Sequence, residues 1–222
     1  MYVPRHFRMS TAEARSALAH VQLADLITVD PETLSPVLTP VPFVYDPTVG
    51  TLGAVQGHVA RPNTQWSHTA HPALVVIRGE DAYVTPDWYP SYRAGKETVP
   101  TWNYEVVQAT GRLVTHTEPE WLEAHVRTLA ARHDPGYDLD GVDRGALDGM
   151  LRAIVGIEVV ITAIDGKSKL SQNRSTPDID GVADGLEQLG RDVLAARIRE
   201  VSAPYAANRE KAVEAARQRA GD

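Results

Sequence analysis

Three short segments of the chain gather side chains able to hold a ligand. The first runs Gly57-His58-Val59-Ala60-Arg61-Pro62-Asn63-Thr64-Gln65-Trp66, and the second Val99-Pro100-Thr101-Trp102-Asn103-Tyr104. The third is Gly166-Lys167-Ser168-Lys169-Leu170-Ser171-Gln172-Asn173-Arg174. Each combines a cation or an amide with hydroxyls, and the first two add an aromatic ring. That mixture suits a ligand with a phosphate at one end and a planar ring at the other. Arg presents a bidentate fork to phosphate, amides read ring edges, and indole supplies an apolar wall. Taken one at a time, the same residues also have plain structural readings. Trp66 and Trp102 serve as core or interface packing, Thr101 as a strand residue, Lys169 as an exposed strand lysine and Asn173 as a turn residue. Composition leaves both readings open.

Other chemistries lack their residues. The 222-residue chain has no cysteine, which removes disulfides, thiolate metal sites and cysteine nucleophiles together. Gly166-Lys167-Ser168 resembles the end of a phosphate-binding loop, but Ile161 stands where that loop needs its first glycine. Gly50, Gly53 and Gly57 have the wrong spacing for a dinucleotide fingerprint, and no nucleophile elbow is present. His68 and His71, three apart beside Pro72, read as a loop pair without further metal ligands.

Strands must position the three segments. Ser10 and Glu13 form a capping box that starts a helix near Thr11, expected to run to about Ala24. LITVD, SPVLTPVPFVYD and TLGAVQGHV then read as short strands, separated by turns at 30–32 and 46–50. Pro36, Pro40 and Pro42 place the middle strand at a sheet edge or on a bulge, because proline donates no ladder hydrogen bond. ALVVIRG and DAYVTPD read as a hairpin turning at Gly79-Glu80-Asp81. Long strands follow in TWNYEVVQATGRLVTH and in IVGIEVVITAIDGKSKLSQN, the latter with a turn at Asp165-Gly166. Between them, Trp121, Leu122, His125, Val126 and Leu129 make a helical stripe, and 143–152 reads as a short helix. Three helical segments occupy the region beyond Pro177, with a break between Ala203 and Ala206.

Strands that dominate the first three quarters without regular helix alternation point to a closed antiparallel barrel with peripheral helices. The expected division is 1–176 for a mainly β barrel domain and 177–222 for a C-terminal helical extension. The chain carries 22 Lys and Arg against 29 Asp and Glu, a net charge of −7. This balance opposes attraction to nucleic acid or anionic membrane. The C-terminal cations Arg191, Arg197, Arg199, Arg209, Lys211, Arg217 and Arg219 alternate with Glu187, Asp192, Glu200, Glu210 and Glu214, the pattern of a solvated face. No apolar run reaches the length of a membrane span, so a soluble cytoplasmic protein is expected.

The three polar segments also carry a resemblance. MYVPRHF, GHVARPNTQW, HPALVVIRGEDAYVTPDWY, VPTWNY, IVGIEVVIT and GKSKLSQNR, in this order over most of residues 1–175, resemble the PaiB family of FMN-binding negative transcriptional regulators. The resemblance implies an FMN-binding split antiparallel β-barrel of the pyridoxamine-phosphate-oxidase-like type. In that fold two subunits pair as a homodimer and FMN lies in clefts at their interface. Arg61 then corresponds to the basic residue that holds the FMN phosphate, with His58 and Asn63 shaping that pocket. Thr101, Trp102 and Asn103 line the flavin or dimer cleft, and Lys169, Gln172 and Asn173 approach the same cleft. Lys96 stands at a basic position in the preceding loop. Two positions depart from the pattern: Thr39-Pro40-Val41-Pro42 replaces a Thr-His-Leu-Pro-like segment, and Thr85 replaces a serine.

The function expected from the resemblance is FMN-binding repression or sensing, through DNA or through a regulatory protein partner. An FMN-dependent oxidoreductase of flavin-reductase type, without direct DNA binding, is the alternative. The C-terminal helices are expected to pack on the barrel or the dimer partner, and truncation after Ala203 to leave FMN binding intact.

Overall fold

The computed structural model describes residues 1–220. A first helix, α1 (Thr11–Ala19), is capped by Ser10, whose hydroxyl accepts from Glu13 N while the Glu13 carboxylate accepts from Ser10 N. Seven strands follow: β1 (Leu23–Val29), β2 (Pro36–Pro42), β3 (Val44–Asp46), β4 (Ala54–Ala60), β5 (Ala73–Val84), β6 (Thr101–His116) and β7 (Ile154–Lys169). The remaining helices are α2 (Pro90–Arg93), α3 (Pro119–His133), α4 (Arg144–Arg152), α5 (Thr176–Gln188) and α6 (Asp192–Ala220). One sheet takes the order β2-β1-β5-β6-β7-β4-β3. The β1–β2, β1–β5, β3–β4 and β4–β7 pairings are antiparallel.

The chain forms two compact units. The first contains Met1, Ser10–Arg78 and Val107–Gly166; the second contains Tyr2–Met9, Gly79–Val106 and the chain from Lys167 onward.

In the first unit the proline-bearing strand β2 stands at the sheet edge, as its lost donors require. It folds back over β4, next to the opposite edge. Gly57 of β4 lies beneath β2 so closely that a Cβ there would come within 2.7 Å of Val41 Cγ1 and 3.0 Å of the Phe43 ring. This approach curls the sheet into the split-barrel form. Leu18, Leu26, Phe43, Val55, Val75, Ile157 and Val159 are buried inside it. A smaller cluster of Leu122, Leu147 and Leu151 joins α3 to α4. In the second unit α5 and α6 bury Ile179, Val182, Leu186, Leu194 and Ile198 against Val84, Tyr89 and Leu170.

Several element boundaries differ from the sequence expectations. Helix α1 stops at Ala19 rather than near Ala24, because Leu23–Val29 alternates between exposed and buried as one strand of the sheet. Strand pairing resumes at Val44 after a break at Phe43, dividing the expected proline-rich strand into β2 and β3. No hairpin forms at Gly79-Glu80-Asp81, since β5 runs unbroken from Ala73 to Val84. Gly79 instead leaves room for a neighbour, as a Cβ there would lie 3.0 Å from Glu105 Cβ. Likewise β7 passes straight through Asp165-Gly166, and pairing beside β6 overrides the local turn preference. Helix α6 continues through Pro204, because Ser202 and Ala206 are both fully buried on either side of it.

Candidate functional site

The second and third polar segments meet in the second unit. Lys169, at the end of β7, donates from Nζ to Thr101 Oγ1 at 2.6 Å and also to the Trp102 carbonyl. Burial lowers the Lys169 pKa, and the positive charges of Lys167 and Arg174 lower it further. Beyond β7 the chain turns through Ser171, which takes a left-handed φ of 74°. An L side chain there costs on the order of 1 kcal/mol. The turn is held from three directions. Asn103 Nδ2 donates to Ser171 Oγ at 3.0 Å, Gln172 Oε1 accepts from Leu170 N at 2.8 Å, and Gln172 Nε2 donates to Ser168 O. Arg209 of α6 donates to the Gln172 and Arg174 carbonyls.

These elements enclose a small cavity of about 60 Å³ lined by Thr101, Asn103, Lys169, Asn173, Tyr89 and Arg174, with Phe7 and Ser171. The Arg174 guanidinium lies 4.4 Å from the centre of the Tyr89 ring. Tyr89 is fully buried, and its hydroxyl has no hydrogen-bond partner among the described residues. Four residues expected at the site therefore converge: Thr101, Asn103, Lys169 and Asn173. Gln172 braces the turn rather than lining the cavity. Trp102 points away from it and is 53% exposed beside Tyr83, their ring centres 6.1 Å apart. Lys96 is exposed in the loop after α2.

The other expected residues belong to the first unit. Arg61 donates from Nε to Arg152 O at 2.7 Å and from Nη2 to Ile154 O at 2.9 Å. With Arg144 and Arg152 it lines a cavity of about 280 Å³. Asn63 caps the short turn of helix at Thr64–Ser67 by accepting from Gln65 N, and donates to Thr39 Oγ1 at 3.1 Å. His58 Nδ1 lies 3.2 Å from His125 Nε2. His125 stacks on Trp121, Trp121 stacks on His116, and His116 faces Glu158 at 3.8 Å. Burial lowers the His58 pKa and, aided by the neighbouring imidazoles, brings that of His125 down to about 4. His68 packs singly, its Nδ1 3.0 Å from Thr28 Oγ1.

Tyr89 and Arg174 were not among the expected site residues. Arg174 closes the GKSKLSQNR segment, which gave it a detectable signal. Tyr89 closes the HPALVVIRGEDAYVTPDWY segment in the same way, but its burial among residues of α5 and α6 shows only in the packing. Histidines 116 and 125 sit 9 residues apart on different elements, and no spacing rule pairs them.

The ammonium, guanidinium, hydroxyl and amide donors of the second unit, with an unpartnered buried phenol, form a donor set that fits a phosphate-bearing, ring-containing cofactor. Comparison with known proteins agrees. Residues 1–163 match the family described as "Putative FMN-binding domain". The chain belongs to this family and is a flavin-binding split-barrel protein whose cofactor is FMN. The "Protease synthase and sporulation protein PAI 2" of Bacillus subtilis is 28% identical over 193 residues, covering 84% of this chain and 89% of the relative. Among solved structures, a conserved hypothetical protein of Mycobacterium tuberculosis superposes with a TM-score of 0.54 at 16% identity, covering 76% of this chain and 91% of that one. A flavocytochrome from Azotobacter vinelandii gives a TM-score of 0.56 at 14% identity, covering 75% and 72%. Both likenesses establish the fold. No helix among the described residues is long and apolar enough to cross a membrane.

Proposed function

We propose that the protein is a homodimeric FMN-binding regulator of the PaiB type, acting in the cytoplasm through a protein partner or a metabolite. The convergence of Thr101, Asn103, Lys169 and Asn173 on one cavity carries the reading, since all four lie in the segments that mark the resemblance. At about 60 Å³ the cavity is far smaller than the roughly 300–1,000 Å³ of sites that enclose a ligand of flavin size. A second copy of the chain supplies the missing wall. Exposed Trp102, Tyr83 and Val99 offer it an apolar contact surface. Arg61, His58 and Asn63 of the first unit are proposed to hold the flavin phosphate and Lys96 to add a cation, while Gln172 fixes the turn that presents Asn173. Residues 177–222 are proposed to form a C-terminal extension of the barrel domain, helical over α5 and α6, with 221–222 outside the described residues.

Regulation through a partner is favoured over direct operator binding by charge. Phosphate contacts dominate DNA affinity, and the net charge is −7. Three C-terminal arginines are also held in ion pairs: Arg191 with Glu80, Arg197 with Glu105 and Glu200, and Arg199 with Asp184 and Glu187. The name of the Bacillus relative points to control of protease synthesis and sporulation as the kind of role to examine.

The test is direct. Purified protein is titrated with FMN by absorbance and calorimetry while its mass is followed by sedimentation. One FMN per subunit and a dimer are expected; no bound flavin in excess FMN would end the cofactor reading for this chain. Promoter DNA binding no tighter than random DNA at low salt is expected, and a strong promoter preference would restore the direct route.

The buried His58–His125 pair favours a second reading, an FMN-dependent oxidoreductase. Bound FMN supplies the redox chemistry. Two imidazoles held neutral can accept a proton, and sustained NAD(P)H consumption with FMN and an acceptor distinguishes this reading from an inert flavin.

A further inference from the structure

The second-unit cavity has a charge balance that a flavin ring alone does not explain. Lys169 and Arg174 both line it, and no carboxylate does. Lys169 uses two ammonium protons on Thr101 and Trp102, and an ammonium has three. Arg174 lies against the face of Tyr89, with Asp178 acting on it electrostatically from outside the cavity lining. The Tyr89 hydroxyl, fully buried, makes no well-formed hydrogen bond among the described residues, with Arg174 and Ser171 as its polar neighbours. Buried polar groups are ordinarily satisfied, and an orphan in a cavity wall points to a ligand not belonging to the chain. The lining offers donors from Lys169, Arg174, Tyr89 and the Asn173 amide, and its two formal charges are both positive. The volume enclosed by one subunit, about 60 Å³, suits a group of a few oxygens and leaves a flavin ring to lie outside it.

We propose that this cavity is a binding pocket for a small oxyanion, held by Lys169, Arg174 and the hydroxyls of Tyr89 and Thr101. It goes beyond the flavin reading, because the donor set stands whether or not FMN binds elsewhere on the chain. The depressed Lys169 pKa agrees with the proposal, since burial first and then the like charges of Lys167 and Arg174 disfavour the cation. The oxyanion is either a free anion or the phosphate of a larger ligand, FMN included.

The experiment is calorimetric titration of the full-length protein with inorganic phosphate, repeated with Tyr89→Phe and Lys169→Met. Folding of each variant is checked by circular dichroism. Saturable phosphate binding is expected in the wild type. Tyr89→Phe keeps the ring and removes one donor to a charged acceptor, so affinity should fall about ten-fold or more. Lys169→Met should abolish binding. Absence of phosphate binding in the wild type would overturn the proposal, and so would binding that both variants leave unchanged. Parallel titrations with FMN and riboflavin separate the sources. Displacement of phosphate by FMN but not by riboflavin assigns the pocket to a flavin phosphate. Phosphate binding undisturbed by saturating FMN assigns it to a separate anion. If neither flavin binds while phosphate does, the flavin reading fails and the oxyanion pocket stands.

Discussion

Asn103 and Ser171 hold each other inside the second unit. The Asn103 amide donates to Ser171 Oγ at 3.0 Å, and the hydroxyl faces Asn103 Oδ1 at 3.3 Å. Both residues are buried, and Ser171 carries the positive φ that turns the chain from β7 toward Asn173 and Arg174. Asn103→Ala strands the Ser171 hydroxyl and loosens the turn. The expected cost is about 1–3 kcal/mol in urea unfolding, with weakened flavin binding alongside. An unchanged unfolding midpoint would mean that the pair is not what fixes the turn.

The curl of the first unit rests on a missing side chain. Gly57→Ala places a methyl 2.7 Å from Val41 Cγ1, and β2 must move off β4 to admit it. Overpacking of this kind costs about 1–3 kcal/mol, so a clearly lower thermal midpoint is expected. A variant as stable as the parent would show that β2 moves freely.

Much of this was legible in the sequence for physical reasons. Pro36, Pro40 and Pro42 announced an edge strand, because a missing N–H acts wherever the strand lies. The Ser10–Glu13 box announced α1 because its hydrogen bonds are local. Errors came where local preference met a tertiary demand. Gly79 looked like a turn residue but serves the close approach of Glu105, and Pro204 looked like a helix break but lies between two buried residues of α6. The site divides in the same way. Thr101, Asn103, Lys169 and Asn173 stood in conspicuous polar segments, whereas Tyr89 gains its meaning only from an unpaired hydroxyl that no sequence displays.

Helix α6 reaches back to the turn that carries the site. Arg209 donates to the Gln172 carbonyl at 3.3 Å and to that of Arg174, and Ser202 donates to Leu170 O. Truncation after Ala203 removes Arg209 and the buried Ala206 together. The sequence alone suggested an intact flavin site after this cut; the contacts predict weaker FMN binding instead. Arg209→Ala in the full chain isolates the effect, with a several-fold loss of FMN affinity expected by calorimetry. Full affinity in both proteins would show that the turn holds itself.

The imidazole chain of the first unit should make stability depend on pH in a definite direction. His125 has its pKa brought down to about 4, first by burial and then by the nearby His58 and His116. His58 is lowered by burial as well. In the unfolded chain a histidine titrates near 6.5. Between these values the unfolded state binds more protons than the native state, so stability falls as pH falls. The loss begins below about pH 6.5 and levels off near about pH 4, with His125 contributing on the order of 3 kcal/mol. Glu158 faces His116 at 3.8 Å and accepts from Gln56 Nε2 at 2.8 Å. It does not contact the His58–His125 pair, so it does not cancel the trend. Urea unfolding at about pH 7.5 and about pH 4.5 measures the drop, and His125→Gln should flatten most of it. A wild-type stability that rises toward acid would show that His125 titrates while folded.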